Sequence, residues 1–202
     1  RYLESMAIAD FLYEWYPKSD ETQTALYNLA VTMIKGKVDD GDSMAILGRF
    51  ARIAPSHPKA PWAAYRCAEY QYKQGSMLKK KKQAAADGGA KVEQINKMIG
   101  DMQEAYLAAV PLYEILTANY GTSEYGAKAY YKLAWVYHIV GENEKSADNF
   151  LLYCDAEEKP TEQKVEAKFY AADRLMRADL TNEAIDCFAE LIKWTEAKGE
   201  FP

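Results

Sequence analysis

The sequence predicts an all-α protein, a solenoid of antiparallel helix pairs with one pair drawn out into a long hairpin. Three observations carry that expectation. Apolar residues recur three and four apart along the chain, and alternating stretches of the kind that form strands are missing. Glycine and proline fall almost only between the periodic stretches, as punctuation. One pattern, Ala-x-(Tyr/Phe)-x-x-Ala, returns at 25–30, 63–68, 129–134 and 167–172, at spacings of 38, 66 and 38, and Phe150 and Phe188 are also 38 apart. A fixed period in this range marks a repeat array, because a helix pair alone leaves an apolar stripe in water and must stack on neighbours.

Taken in order, residues 2–16 read as the second helix of a pair, with Ala7 and Phe11 at the positions that Ser146 and Phe150 hold further on. Leu3, Met6 and Phe11 should there leave apolar surface open, and such ends self-associate. The turn Tyr16-Pro17-Lys18-Ser19 ends this helix and caps the next. First helices are expected near 21–35, 58–74, 124–140 and 162–178, and second helices near 42–54, 105–119, 143–156 and 182–197, with breaks at Gly36, Gly75, Gly121 and Gly141. The spacing of 66 exceeds the period by 28 residues, and these fall within 76–103, where two helix-favouring stretches flank Asp87-Gly88-Gly89. Lengthening both helices of the third unit by about 14 residues, some 21 Å, accounts for them. Pro111 should kink or restart the returning helix, since it lacks an N–H and clashes with the preceding turn. Thr161 and Thr181 suit N-caps, and Gly199 and Pro202 end the pattern at a point where another unit could follow. The expectation is one array over 1–202, of about 4.5 repeats.

Composition bounds the function. The chain has 202 residues, 49% of them apolar, enough for a sizeable core. A net charge of −5 argues against general nucleic-acid binding, which depends on neutralising phosphates. No apolar run approaches the roughly 20 residues that span a bilayer. The chain begins at Arg1 in mid-pattern, as an excerpt or processed form would, so the missing signal peptide is uninformative. Cys67, Cys154 and Cys187 form neither a C-x-x-C pair nor a disulfide framework; Cys67 and Cys187 lie at apolar repeat positions. Lipase-like, zincin, Walker and dinucleotide motifs are absent, no metal or cofactor is expected, and the chain reads as non-enzymatic. His57 lies in a turn and His138 on a repeat helix, where a lone histidine is a packed or surface group. Asp39-Asp40-Gly41-Asp42 lacks the alternating ligands and closing Glu of a calcium loop and reads as helix-capping aspartates.

Leu133, Ala134, Tyr137, Gly141, Ser146 and Phe150 fall in order on the signature of the tetratricopeptide repeat, with Ser146 in place of the usual small alanine. The chain therefore resembles tetratricopeptide-repeat (TPR) proteins, and the resemblance implies a right-handed solenoid that binds proteins. Its 38-residue period and YPKS-type turn are similar to bacterial envelope TPR proteins, such as the outer-membrane assembly lipoprotein and the Tol-Pal coordination protein. That likeness implies scaffolding between proteins in the periplasm or cell envelope. The residues themselves name no compartment.

In such proteins the first helix of each unit lines a concave face. Three residues before Ala30, Ala68, Ala134 and Ala172 stand Tyr27, Tyr65, Tyr131 and Phe169, one aromatic per unit. Such a ladder suits interface anchors, which want apolar area at low entropic cost. The same rings also suit packing between adjacent repeats. Beside them are Asn28, Trp62, Arg66, Glu69, Tyr72, Lys128, Lys132, Trp135, Asp173 and Arg177. Lys128 and Lys132, four apart on one helix face, partly resemble with Asn28 the carboxylate clamp by which some TPR domains hold a partner's C-terminus. The pattern departs at Thr24, where lysine is expected, and at Arg66, where asparagine is expected.

The extra residues 76–103 carry six lysines, Lys79 to Lys82, Lys91 and Lys97, against three acids, a local charge of +3. That run is either a solvated surface or a salt-sensitive contact with an acidic partner or anionic headgroups. Two functions stay open: a scaffold holding a protein or peptide segment on the concave face, and an assembly subunit that works through the hairpin and the open repeat ends.

Overall fold

The computed structural model describes residues 2–38, 40–121, 123–157 and 161–198, with side chains between 4 and 194. The side chain of Leu3, and Asp39, Gly199 and Pro202, lie outside that range. Among the described residues the chain is all-α, with ten helices and no strands. In order they are α1 Tyr2–Trp15, α2 Asp20–Lys35, α3 Asp40–Ile53, α4 Ala60–Asp87 and α5 Val92–Leu107, then α6 Val110–Tyr120, α7 Glu124–Val140, α8 Asn143–Ala156, α9 Glu162–Arg177 and α10 Thr181–Lys198.

Local chemistry sets most of the boundaries. The hydroxyls of Ser19, Ser123 and Thr161 accept hydrogen bonds from the amides of Thr22, Gly126 and Lys164, opening α2, α7 and α9. Thr181, expected as a cap, is instead the first residue of α10. Gly141 closes α7 in the left-handed region at φ 88°, where a side chain would be strained. The return from the long hairpin breaks after Leu107 and restarts at Val110, with Pro111 one residue into the new helix, where its missing N–H costs nothing.

Gly75 does not break a helix. α4 runs through it for 28 residues, and the ring of Tyr106 on α5 packs against its backbone. Glycine is used here for close approach. The Tyr106 hydroxyl lies 3.1 Å from Ser76 Oγ, which fixes the same crossing point.

Contacts group the chain into two compact units, Arg1–Asn119 and Tyr120–Pro202. Within each, the main packing is between consecutive helices, the pattern of a repeat array. In the first unit Leu26, Ala30 and Met33 of α2 are buried with Ile46, Leu47 and Phe50 of α3, while α4 adds Ala63, Ala64, Cys67 and Ala68. Buried side chains of the larger kind contribute about 1.5–3 kcal/mol each. α6 is tied back to α4 by the Tyr113 hydroxyl, which donates to Glu69 Oε1 at 2.6 Å. Burial and the Glu69 carboxylate both push the Tyr113 phenol far above its usual range.

α1 presents a different face from the one the sequence suggests. Ala9 is buried and Ser5, Met6, Leu12 and Tyr13 are half-buried, while Ala7 and Phe11 are exposed. α1 packs chiefly on α2, and Arg49 of α3 reaches it, pairing with Asp10 and lying over the Tyr13 ring at 5.3 Å.

In the second unit the small residue of the repeat joins two helices directly. Ser146 Oγ donates to the Ala134 carbonyl at 2.9 Å, a bond the usual alanine would not make. Around it Phe150, Tyr153 and Cys154 of α8 pack on Ala167 and Ala171 of α9, and Ala172 and Leu175 pack on Ala184 and Cys187 of α10.

Candidate functional site

The candidate residues divide between the units. Tyr27, Asn28, Tyr65 and Arg66 lie in the first, and Lys128, Tyr131, Lys132, Trp135 and Phe169 in the second.

In the first unit Tyr27 is half-buried in a ring cluster: Phe50 at 5.2 Å, His57 at 6.2 Å and Trp62 at 6.3 Å between centroids. Its companions come from α3, the loop after it and α4, so Tyr27 fastens three elements together. Tyr65 is half-buried; Asn28 and Arg66 are exposed. Arg66 lines an open groove of about 410 Å³ between α3 and α4, with Asp40, Glu69, Tyr70 and Lys73. Charges of both signs meet there, so the groove suits a polar, uncharged or zwitterionic stretch better than a bare anion. Arg66, Glu69 and Lys73 share α4, and only Asp40, at the start of α3, could not be brought to the groove from sequence.

In the second unit the candidates meet. Trp135 sits at the centre, with Tyr131 at 6.2 Å, Phe150 at 5.5 Å, Tyr170 at 4.7 Å and His138 at 5.4 Å. Tyr131 also reaches Phe150 and Tyr153. Its hydroxyl donates to Glu166 Oε2 of α9 at 3.4 Å. Partial burial and the nearby Glu166 carboxylate push this phenol above its ordinary value. Phe169 stands apart at 52% exposure, touching Tyr170 and Phe188 at its edges. Lys128 is exposed and paired with Glu124 one turn earlier, and that hydrogen bond holds the Glu124 carboxyl below its usual value. Lys132 is half-buried.

The sequence reading missed Tyr170 and Glu166. Tyr170 is the 38-residue counterpart of Lys132, so the repeat register marked no aromatic position there. Glu166 carried no signal until α7 and α9 were packed side by side.

The arrangement offers apolar ring edges, a phenol, a carboxylate and an ammonium. Among the described residues no group of three or more His, Cys, Asp or Glu side chains is placed to hold a metal ion. No helix there is long and apolar enough to cross a membrane.

No family model matches the sequence, and no curated relative matches it. Among solved structures, a MamA RS-1 ArsTM double mutant is 13% identical, covers 91% of this chain and 99% of its own, and superposes with a TM-score of 0.39. MamA from residue 41 to its end, from Desulfovibrio magneticus RS-1, is 14% identical with the same coverage and TM-score 0.39. A putative kinesin light chain from Podosopora anserina with nearly identical TPR-like repeats is 14% identical, covers 98% of this chain and 96% of its own, at TM-score 0.37. Likeness at this level says nothing of ligands or partners.

Proposed function

We propose that this chain is a non-enzymatic protein–protein interaction scaffold that holds a partner segment against the aromatic positions of its first helices. The observation that carries the reading is the pair Tyr131 and Phe169. They occupy the same repeat position on α7 and α9, one half-buried and one open, with Trp135 and Lys132 alongside. Large rings presented at one register, with a charged rim, suit an extended or helical peptide. In this proposal the two units form one array over 1–202, residues 76–103 are an insertion in its third unit, and Tyr27, Asn28, Tyr65 and Arg66 continue the concave face. The resemblance to envelope TPR proteins extends it to a scaffold in the periplasm or cell envelope. Support for leaving chemistry out is the absence of nucleophile–base motifs from the sequence.

A partner captured by pull-down is titrated by calorimetry against Phe169→Ala and against a deletion of residues 79–100. The proposal expects Phe169→Ala to weaken binding about tenfold or more, the hot-spot scale, and the deletion to leave it nearly unchanged. The reverse order favours a second reading, an assembly subunit that works through the hairpin. One observation speaks for that reading: among the described residues none of Lys79, Lys80, Lys81, Lys82, Lys91 and Lys97 forms an ion pair. Unpaired lysines on a protruding hairpin suit an acidic partner.

A further inference from the structure

Two carboxylates, Glu166 and Asp173, lie on one face of α9, two turns apart. They are answered differently. Asp173 holds two guanidiniums: Arg174 pairs with it, and Arg177 Nε donates to its Oδ2 at 3.2 Å. Among the described residues Glu166 forms no ion pair, and the group it meets is the Tyr131 hydroxyl, which donates to Oε2 at 3.4 Å. Three cations of α7 and α9 are held elsewhere: Lys128 by Glu124, Lys168 by Glu190, and Lys164 by the Glu157 carbonyl.

Rings stand around this carboxylate. Tyr131 and Trp135 are one turn apart on α7, and Phe169 and Tyr170 are one turn beyond Glu166 on α9. Trp135 meets Tyr131 at 74° and Tyr170 at 67°, so the planes cross steeply and do not stack. Phe150, which is buried, backs all three rings at 5.5–5.9 Å. Tyr131, Trp135 and Tyr170 are half-buried, whereas Glu166 and Phe169 are exposed. A carboxylate and the negative face of an aromatic ring both attract a cation. A guanidinium serves both at once, because its planar fork matches a carboxylate and its flat face stacks on a ring.

Charge agrees. Residues 120–202 carry sixteen acidic and ten basic side chains, whereas 1–119 carry fourteen and fifteen, so the acidity of the chain is concentrated in the second unit. A field of that sign draws a basic segment toward it. We propose that the segment held on this face is basic, and that an arginine of the partner seats its guanidinium on Glu166 beside the rings of Tyr131 and Phe169, as Arg177 seats on Asp173 within the chain. This inference rests on the scaffold reading above and adds the chemistry of what is held. A lysine at the same place meets the charge and leaves the planar fork unused.

The test is an NMR titration of the 202-residue chain, labelled with nitrogen-15, in which the assigned indole N–H of Trp135 is followed. The probe is a capped pentapeptide of alanine with a central arginine. Its controls carry lysine, or citrulline, which keeps the shape and removes the charge. The arginine peptide is expected to shift the Trp135 signal saturably, and the citrulline peptide to bind about tenfold more weakly or worse. Glu166→Gln keeps a carbonyl for the Tyr131 hydroxyl and lies at an exposed site, so it should melt with the parent while its affinity for the arginine peptide falls to the citrulline level. An arginine peptide no tighter than either control, arginine binding that survives Glu166→Gln, or a Trp135 signal that never moves would each overturn the proposal. The scaffold reading is judged apart, on the partner captured by pull-down. If Phe169→Ala weakens that partner and Glu166→Gln does not, the scaffold stands and the arginine anchor falls; if both weaken it, both stand.

Discussion

The ring of Tyr106 lies so close to Gly75 that a Cβ there would come within 2.7 Å of ring Cγ and 2.8 Å of both Cδ atoms. Gly75→Ala gains helix propensity of up to about 1 kcal/mol. Against that, the ring is 2% exposed, edge-on to Tyr72 at 5.0 Å and within hydrogen-bond distance of Ser76. It has nowhere to swing, so overpacking wins and the substitution costs about 1–2 kcal/mol net. Urea melts decide the sign: a variant as stable as the parent means the ring yields.

Phe150 and Phe11 test the packing register. Phe150 is 1% exposed and Phe11 is 53% exposed. Phe150→Ala is expected to cost about 3–5 kcal/mol, and Phe11→Ala less than about 0.5 kcal/mol. Ala172→Leu, at a fully buried alanine between α9 and α10, should cost about 1–3 kcal/mol by overpacking. Equal losses at Phe150 and Phe11 in denaturant melts contradict the placement of α1.

The two ladder residues of the second unit should separate in their effects. Tyr131 packs on Phe150 and Tyr153, so Tyr131→Ala loosens the core as well as any binding surface. Phe169 is half open, and Phe169→Ala is expected to change stability by under about 1 kcal/mol. Thermal melts run beside the binding titration distinguish them. If Phe169→Ala melts as low as Tyr131→Ala, the exposed ring is structural.

Stability should fall in alkali through the buried thiols. Burial pushes Cys67 up to about 12 and Cys154 up to about 11, whereas a thiol of the unfolded chain ionises near its ordinary value of 9.0. Between those values the unfolded state holds fewer protons, so raising the pH favours it, by at most about 1.4 kcal/mol per unit for each thiol. Below pH 9 the contribution is fully present. Melts at pH 8 and pH 10.5 check this: Cys67→Ala should lose less stability over that interval than the parent. An unchanged difference would mean that Cys67 ionises as readily folded as unfolded.

Helix positions were legible because the periodicity is local and the caps are chemical; Ser19 and Thr161 announce α2 and α9 in the sequence itself. What the sequence hid depends on residues far away along the chain. Gly75 reads as punctuation until Tyr106, 31 residues on, lies across it. Two apolar faces of α1 compete within the same few residues, and the packing of α1 on α2 buries Ala9 and leaves Phe11 open. The ladder positions share a register but not an environment. Tyr27 is enclosed by Phe50, His57 and Trp62, while Phe169 has rings only at its edges. Repeat arithmetic finds such positions, and only the neighbours say which of them face outward.

α4 passes Gly75 unbroken and continues 12 residues to Asp87, about 18 Å at 1.5 Å per residue. Mechanically this is a lever whose fulcrum is the Tyr106 ring. A load applied at Lys80 or Lys81 becomes a torque on the other arm, where Ala63, Ala64, Cys67 and Ala68 are fully packed. A glycine hinge at 75 would have absorbed that torque locally. With a continuous helix, whatever grips the far end of the hairpin also pulls on the alanines that seat α4 in the first unit.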